Sequence, residues 1–172
     1  MPRPLRRAAL IVHIVAAGAW IGIDVVVATL VLAGRFGGTD QIRALAYQAL
    51  ATFIIWPMLT ASLICLVSGL ILGLGTRWGL IRYWWVAVKL VLNVVLCALI
   101  AFLLRPGMAD VAAYGRALTV GDGDPSTVSA LFFPPAVSLT ALTIATGLAV
   151  VKPWGRIRKG GGRRGRGQTR QA

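Results

Sequence analysis

Acidic residues, histidine and cysteine are all scarce in this chain. Of 172 residues, five are Asp or Glu, one is His and two are Cys. Only 13% are charged, against about 25% in an average soluble domain. Apolar residues make up 58%, above the usual 45–50% or so. These shortfalls exclude an ordinary water-soluble globule. Two cysteines inside apolar runs, Cys65 and Cys97, are no disulfide framework, which needs several paired cysteines in exposed loops. One histidine cannot form a bis-His haem within a monomer. Counted along their helices, Cys65 and Cys97 are expected at different depths and away from any other ligand, which argues against a zinc or copper cage. No Ser–His–Asp arrangement, phosphate loop or dinucleotide fingerprint is present.

What the chain does have is long apolar runs and a formal charge of +13, kept apart along the sequence. Four runs, at about residues 8–34, 46–75, 83–104 and 129–151, stand out. Crossing about 30 Å of hydrocarbon takes about 20 apolar residues, so each is long enough. In lipid the backbone must satisfy its own hydrogen bonds, so each run is predicted to be a helix. The second run is over-long, and Pro57 is expected to kink it unless its first turns lie along the interface. The first run follows Arg3, Arg6 and Arg7 but exceeds the 7–15 or so residues of a signal-peptide core, and is read as a retained helix.

Basic residues set the orientation. With the N-terminus inside, the inner segments hold Arg3, Arg6 and Arg7, then Arg77 and Arg82, then eight from Lys152 to Arg170. The outer segments hold Arg35, Arg43, Arg105 and Arg116. This bias fits the positive-inside rule with both termini cytoplasmic. Trp78, Trp84, Trp85 and Trp154 fall at the inner boundary and Trp56 toward the outer one, as interface anchors.

The stretch from Arg105 to Val128 is expected to be an outer loop. Its Gly121–Ser126 segment reads as a solvated turn, or less simply as a Ca²⁺ site outside the EF-hand pattern. Residues 152–172, rich in Gly and Arg, are expected to form a disordered tail. That composition suits attraction to anionic lipid at about 1 kcal/mol per basic residue. It fits nucleic acid less well, because no aromatics are interleaved for base stacking.

An ionisable residue mid-helix costs about 2.5–3.5 kcal/mol on insertion scales, which makes His13, Asp24 and Lys89 informative. Counting about 1.5 Å per residue puts His13 and Lys89 at similar heights near the inner boundary, with Asp24 about 16 Å beyond His13. A direct Asp24–Lys89 salt bridge is therefore not expected. His13, Ala17, Trp20 and Asp24 lie on one stripe of the first span, and Lys89 and Asn93 on one face of the third. If these faces meet, His13, Lys89 and Asn93 form a polar cluster with Trp20 above it. A neutral imidazole there can ligate a metal or accept a proton, and the amine can hold a carboxylate, propionate or lipid phosphate.

Blander roles stay open for each residue. Lys89 can snorkel to headgroups, His13 can simply bond a neighbouring helix, and Asp24 can reach the outer interface or pair with Arg35 or Arg43. The Gly18/Gly22 and Gly69/Gly73 pairs are expected to pack within the bundle, with a homodimer as the alternative. Ser62, Ser68, Ser138, Thr140, Thr143 and Thr146 are expected to hydrogen-bond between helices.

His13 with Trp20 and Gly22, and the run Gly75-Thr76-Arg77-Trp78-Gly79-Leu80-Ile81-Arg82-Tyr83-Trp84-Trp85-Val86-Ala87-Val88-Lys89-Leu90, resemble a group of small four-helix bacterial membrane proteins of unassigned function. The likeness covers roughly residues 5–104. More remotely, these motifs resemble the copper-resistance D type of membrane protein and the four-helix, oxygen-independent protoporphyrinogen oxidase. The latter resemblance implies haem binding, with His13 and Lys89 as the site. Those families carry further intramembrane histidines or methionines, so His13 would be at most one axial ligand here.

The expectation is thus an all-α, polytopic four-helix bundle of the bacterial inner membrane, with residues 1–151 as its membrane domain. The leading role is non-catalytic or accessory, binding a lipid-soluble or anionic ligand near His13, Lys89, Asn93 and Trp20. The alternatives are a haem- or porphyrin-linked oxidoreductase, and a small transporter component using Asp24.

Overall fold

The computed structural model describes residues 2–75, 83–121 and 128–151. The connection between the second and third runs, the expected Gly121–Ser126 turn beyond Gly121 and the basic tail lie outside these residues. Among the described residues the structure is helical, with four helical stretches long and apolar enough to cross a membrane. They are Arg3–Phe36, Asp40–Gly75, Trp84–Leu118 and Phe133–Val151.

The first stretch is the single helix α1 (Arg3–Phe36). It ends where Gly37 donates its N–H to the Ala33 carbonyl, 2.8 Å away. A Cβ on Gly37 would fall 2.5 Å from that oxygen, so the turn needs glycine. The second stretch comprises α2 (Asp40–Ala49), a π-helical turn at Leu50–Ile54, and α3 (Ile55–Gly75). Thr39 starts α2 by accepting the Ile42 N–H on its hydroxyl. The third comprises α4 (Trp84–Ala98), a π-helical turn at Leu99–Leu104, and α5 (Arg105–Leu118). The fourth is α6 (Phe133–Val151).

Both π turns lie just before a proline, Pro57 or Pro106. A proline inside a helix has no N–H to give and crowds the carbonyl four residues back. Widening that turn absorbs the mismatch without breaking the helix.

The expectation for Arg105–Val128 is corrected by α5, which carries the third stretch on as a helix to Leu118. Met108, Val111, Tyr114 and Leu118 recur at helical spacing and are buried against α1 and α2. At 34 residues, α1 is about 51 Å long, well beyond about 30 Å of hydrocarbon. Its far end packs with α2 and α5 into a second storey. There Gly34 admits the Tyr47 ring, which meets Tyr114 edge-on at 5.2 Å between centroids. Arg43 donates to the Gly34 carbonyl at 3.2 Å and pairs with Asp40 at 3.0 Å, completing the end of α1.

In the bundle proper, α1 and α4 each pack on both α3 and α6. The first and third spans therefore face each other across a diagonal. A second core, around Trp20, Met58, Cys65, Cys97, Ile100 and Leu142, fills the centre. Large apolar side chains also cover the outside, among them Ile11, Val15, Val67, Val91 and Leu103. The interior holds the polar groups Asp24, Ser62, Ser68 and Ser138. This arrangement inverts that of a water-soluble bundle.

Candidate functional site

The buried stripe of α1 runs through Ala16, Trp20, Asp24, Val27 and Val31, with His13 and Ala17 partly covered at its start. It carries two polar centres at different heights.

The first centre is around His13. Its Nδ1 lies 3.0 Å from the Cys65 carbonyl oxygen and 3.0 Å from Ser68 Oγ. The Ser68 hydroxyl donates to the Ile64 carbonyl at 2.6 Å, and a carbonyl can only accept. Nδ1 must therefore carry the proton, which leaves the lone pair on Nε2. Gly69 makes room for the ring: a Cβ there would sit 3.1 Å from His13 Cε1. The α3 residues Cys65, Ser68 and Gly69 thus form the seat of the imidazole.

The expectation that Cys65 has no adjacent ligand is overturned. Cys65 Sγ lies 3.8 Å from His13 Nδ1. Because α1 begins at Arg3, His13 is ten residues into its helix, and Cys65 is ten residues from the end of α3 at Gly75. The two are level. Even so, no group of three or more His, Cys, Asp or Glu side chains suited to a metal is found among the described residues.

Lys89 and Asn93 project from α4 toward the same α3 surface. Asn93 Oδ1 accepts from Cys97 Sγ at 3.4 Å and its side chain also interacts with Cys65. Lys89 is within electrostatic range of both His13 and Cys65, and its Nζ stands 5.7 Å from the centre of the Trp85 ring. No carboxylate lies within salt-bridge distance of Lys89 among the described residues. The structure therefore brings His13, Lys89 and Asn93 to one region, although their helices are diagonal and α3 lies between them.

The second centre is at Asp24. Pairing with Arg35 or Arg43 is corrected: Arg43 is engaged by Asp40, whereas Asp24 is 0% exposed and accepts from Ser138 Oγ at 2.5 Å. The physical reason is depth. Helix α6 starts at Phe133, so Ser138 is about 8 Å from its N-terminal end and level with Asp24. Trp20 is also 0% exposed, within the packed core. Trp20 Nε1 and Asp24 Oδ1 have no hydrogen-bond partner among the described residues.

Two packing expectations also change. Gly69 and Gly73 do pack inside the bundle, but Gly18 and Gly22 have open space where a Cβ would stand. Thr140, Thr143 and Thr146 each donate to the carbonyl four residues back in α6 instead of to another helix. Ser68 and Ser138 do bond across helices. At the far end Trp56 is 62% exposed, with the Arg105 guanidinium over its ring.

No family model, curated protein or solved structure matches the chain.

Proposed function

We propose that this is a multi-pass protein of the bacterial inner membrane, both termini cytoplasmic, that acts as an accessory binder of an anionic, lipid-soluble ligand at Lys89. The observation that carries this reading is the lone ammonium of Lys89, which has no carboxylate partner among the described residues and sits over the Trp85 face, in a stretch apolar enough to span a membrane. An intramembrane cation is costly unless a counter-charge meets it. A lipid phosphate or a carboxylate supplies that charge. His13, fixed by Ser68 and Cys65, presents Nε2 as an acceptor for a protonated group of the same ligand, and Asn93 adds an amide. The apolar outer surface supports the membrane reading, and the segregation of basic residues supports the orientation.

The test is native mass spectrometry of the full chain, released from vesicles of phosphatidylglycerol and phosphatidylcholine in equal parts. Phosphatidylglycerol should be retained selectively, at least tenfold less so in Lys89→Met, and unchanged in Lys89→Arg. Equal retention of the two lipids in the unaltered protein and in Lys89→Met would overturn the proposal.

A second reading has one observation in its favour. An imidazole whose Nδ1–H is held by a carbonyl, and whose Nε2 has no hydrogen-bond partner among the described residues, is the usual form of an axial ligand. For a haem- or porphyrin-linked oxidoreductase, the purified protein should show a Soret band that is lost in His13→Ala.

A further inference from the structure

A cavity of about 1010 Å³ opens between the α4–α5 stretch and the start of α6, and Lys89 is not among its lining residues. It lies at the upper end of the range of roughly 300–1,000 Å³ typical of ligand pockets. One part of its wall is in the apolar spans, at Leu99, Leu103 and Val137, and another is on α5, at Gly107 and Ala113. The cavity therefore continues from the apolar spans into the second storey. Ser138 is among its lining residues.

The polar groups here are selective. Ser138 gives its proton to Asp24 Oδ2, so its oxygen offers the cavity only a lone pair. Behind it, Asp24 Oδ1 is buried without a partner among the described residues, and Asp110 adds an exposed carboxylate to the lining. No lysine or arginine lines the cavity among the described residues. An anionic head is repelled by such a lining, and a hydrocarbon leaves the Ser138 oxygen unmet. A hydroxyl head satisfies it, donating to Ser138, which donates to Asp24, in a chain of mutually polarising bonds.

We infer that this cavity binds an uncharged lipid alcohol, with the chain along the apolar wall and the hydroxyl at Ser138. The inference rests on the membrane reading of the four spans but not on the Lys89 site.

The experiment uses full-length protein in phosphatidylcholine vesicles, carrying Ala113→Cys as a reporter on the cavity wall. The native cysteines are buried. Hexadecanol, palmitate and hexadecane are added in turn, and the rate of maleimide labelling is read. Hexadecanol should slow labelling saturably, with at least tenfold higher affinity than palmitate at neutral pH. Ser138→Ala should weaken hexadecanol about fivefold, the loss of one ordinary hydrogen bond, and leave hexadecane unchanged. Gly107 lines the cavity and a Cβ there would meet nothing within 4 Å, so Gly107→Leu should abolish protection. Gly22→Leu, on α1 and away from the cavity, should leave protection intact. Equal protection by palmitate and hexadecanol, or full protection in Gly107→Leu, overturns the inference. So does a disulfide between two copies through the introduced thiol, which would show a second chain in the cleft. Failure to insert into vesicles overturns this inference and the membrane reading together, whereas insertion without saturable protection overturns this inference alone.

Discussion

Asp24 shows how one residue's role depends on a neighbour that sequence periodicity does not reveal. The stripe through His13, Trp20 and Asp24 is legible in the sequence because helical spacing alone puts them on one face. Ser138 is not legible as the partner, because its depth depends on α6 starting at Phe133 and not at Ser129. The pair can be tested by its asymmetry. Ser138→Ala should cost about 1–3 kcal/mol in thermal unfolding in detergent, since it strands a buried carboxylate. Adding Asp24→Val should recover most of that loss, because neither partner then remains unmet. Glycines give a second contrast. A Cβ at Gly34 would fall 2.6 Å from Tyr47 Cζ, so Gly34→Ala should destabilise by about 1–3 kcal/mol through overpacking. Gly18→Ala and Gly22→Ala meet open space and should change stability by less than about 0.5 kcal/mol. A small-residue motif therefore reveals that close approach is possible, but not which face receives it.

Element boundaries account for most of the remaining differences. Counting depth from Ala8, five residues after α1 begins, hides the seat of His13. Its signal is nonetheless present: Cys65, Ser68 and Gly69 are a small and polar stripe at helical spacing. Likewise, Met108, Val111, Tyr114 and Leu118 carry the period of α5, which a proline-led polar segment disguises. The α2–α5 storey should depend on its caps and its aromatic pair. Thr39→Ala removes the hydroxyl that accepts the Ile42 N–H, and should cost about 1 kcal/mol. Tyr114→Ala removes a ring that is nearly fully buried and stacked edge-on against Tyr47. It should cost about 3–5 kcal/mol, read as a fall in the unfolding midpoint.

At the scale of the whole molecule, four spans and segregated charge make one arrangement testable in cells. On the proposed four-span topology, an even number of crossings returns the chain to its starting side, so residues near the N-terminus and those beyond Val151 should share a compartment. In the proposed orientation the positive-inside bias assigns that compartment to the cytosol. Single cysteines at Pro2 and at Gln171, in a chain with Cys65→Ala and Cys97→Ala, should resist an impermeant maleimide in whole cells and react after lysis. A cysteine at Val120, which is exposed just beyond α5, should react before lysis. The charge argument can be tested on the same variants. Substituting Gln for the eight basic residues between Lys152 and Arg170 removes most of the inner excess but leaves Arg3, Arg6 and Arg7. Because the first helix usually dominates orientation, the N-terminal cysteine should stay protected in that variant. Substituting Gln for the three N-terminal arginines as well should expose a fraction of both termini together. Exposure of one terminus without the other would mean an odd number of crossings, and the four-span reading would fail.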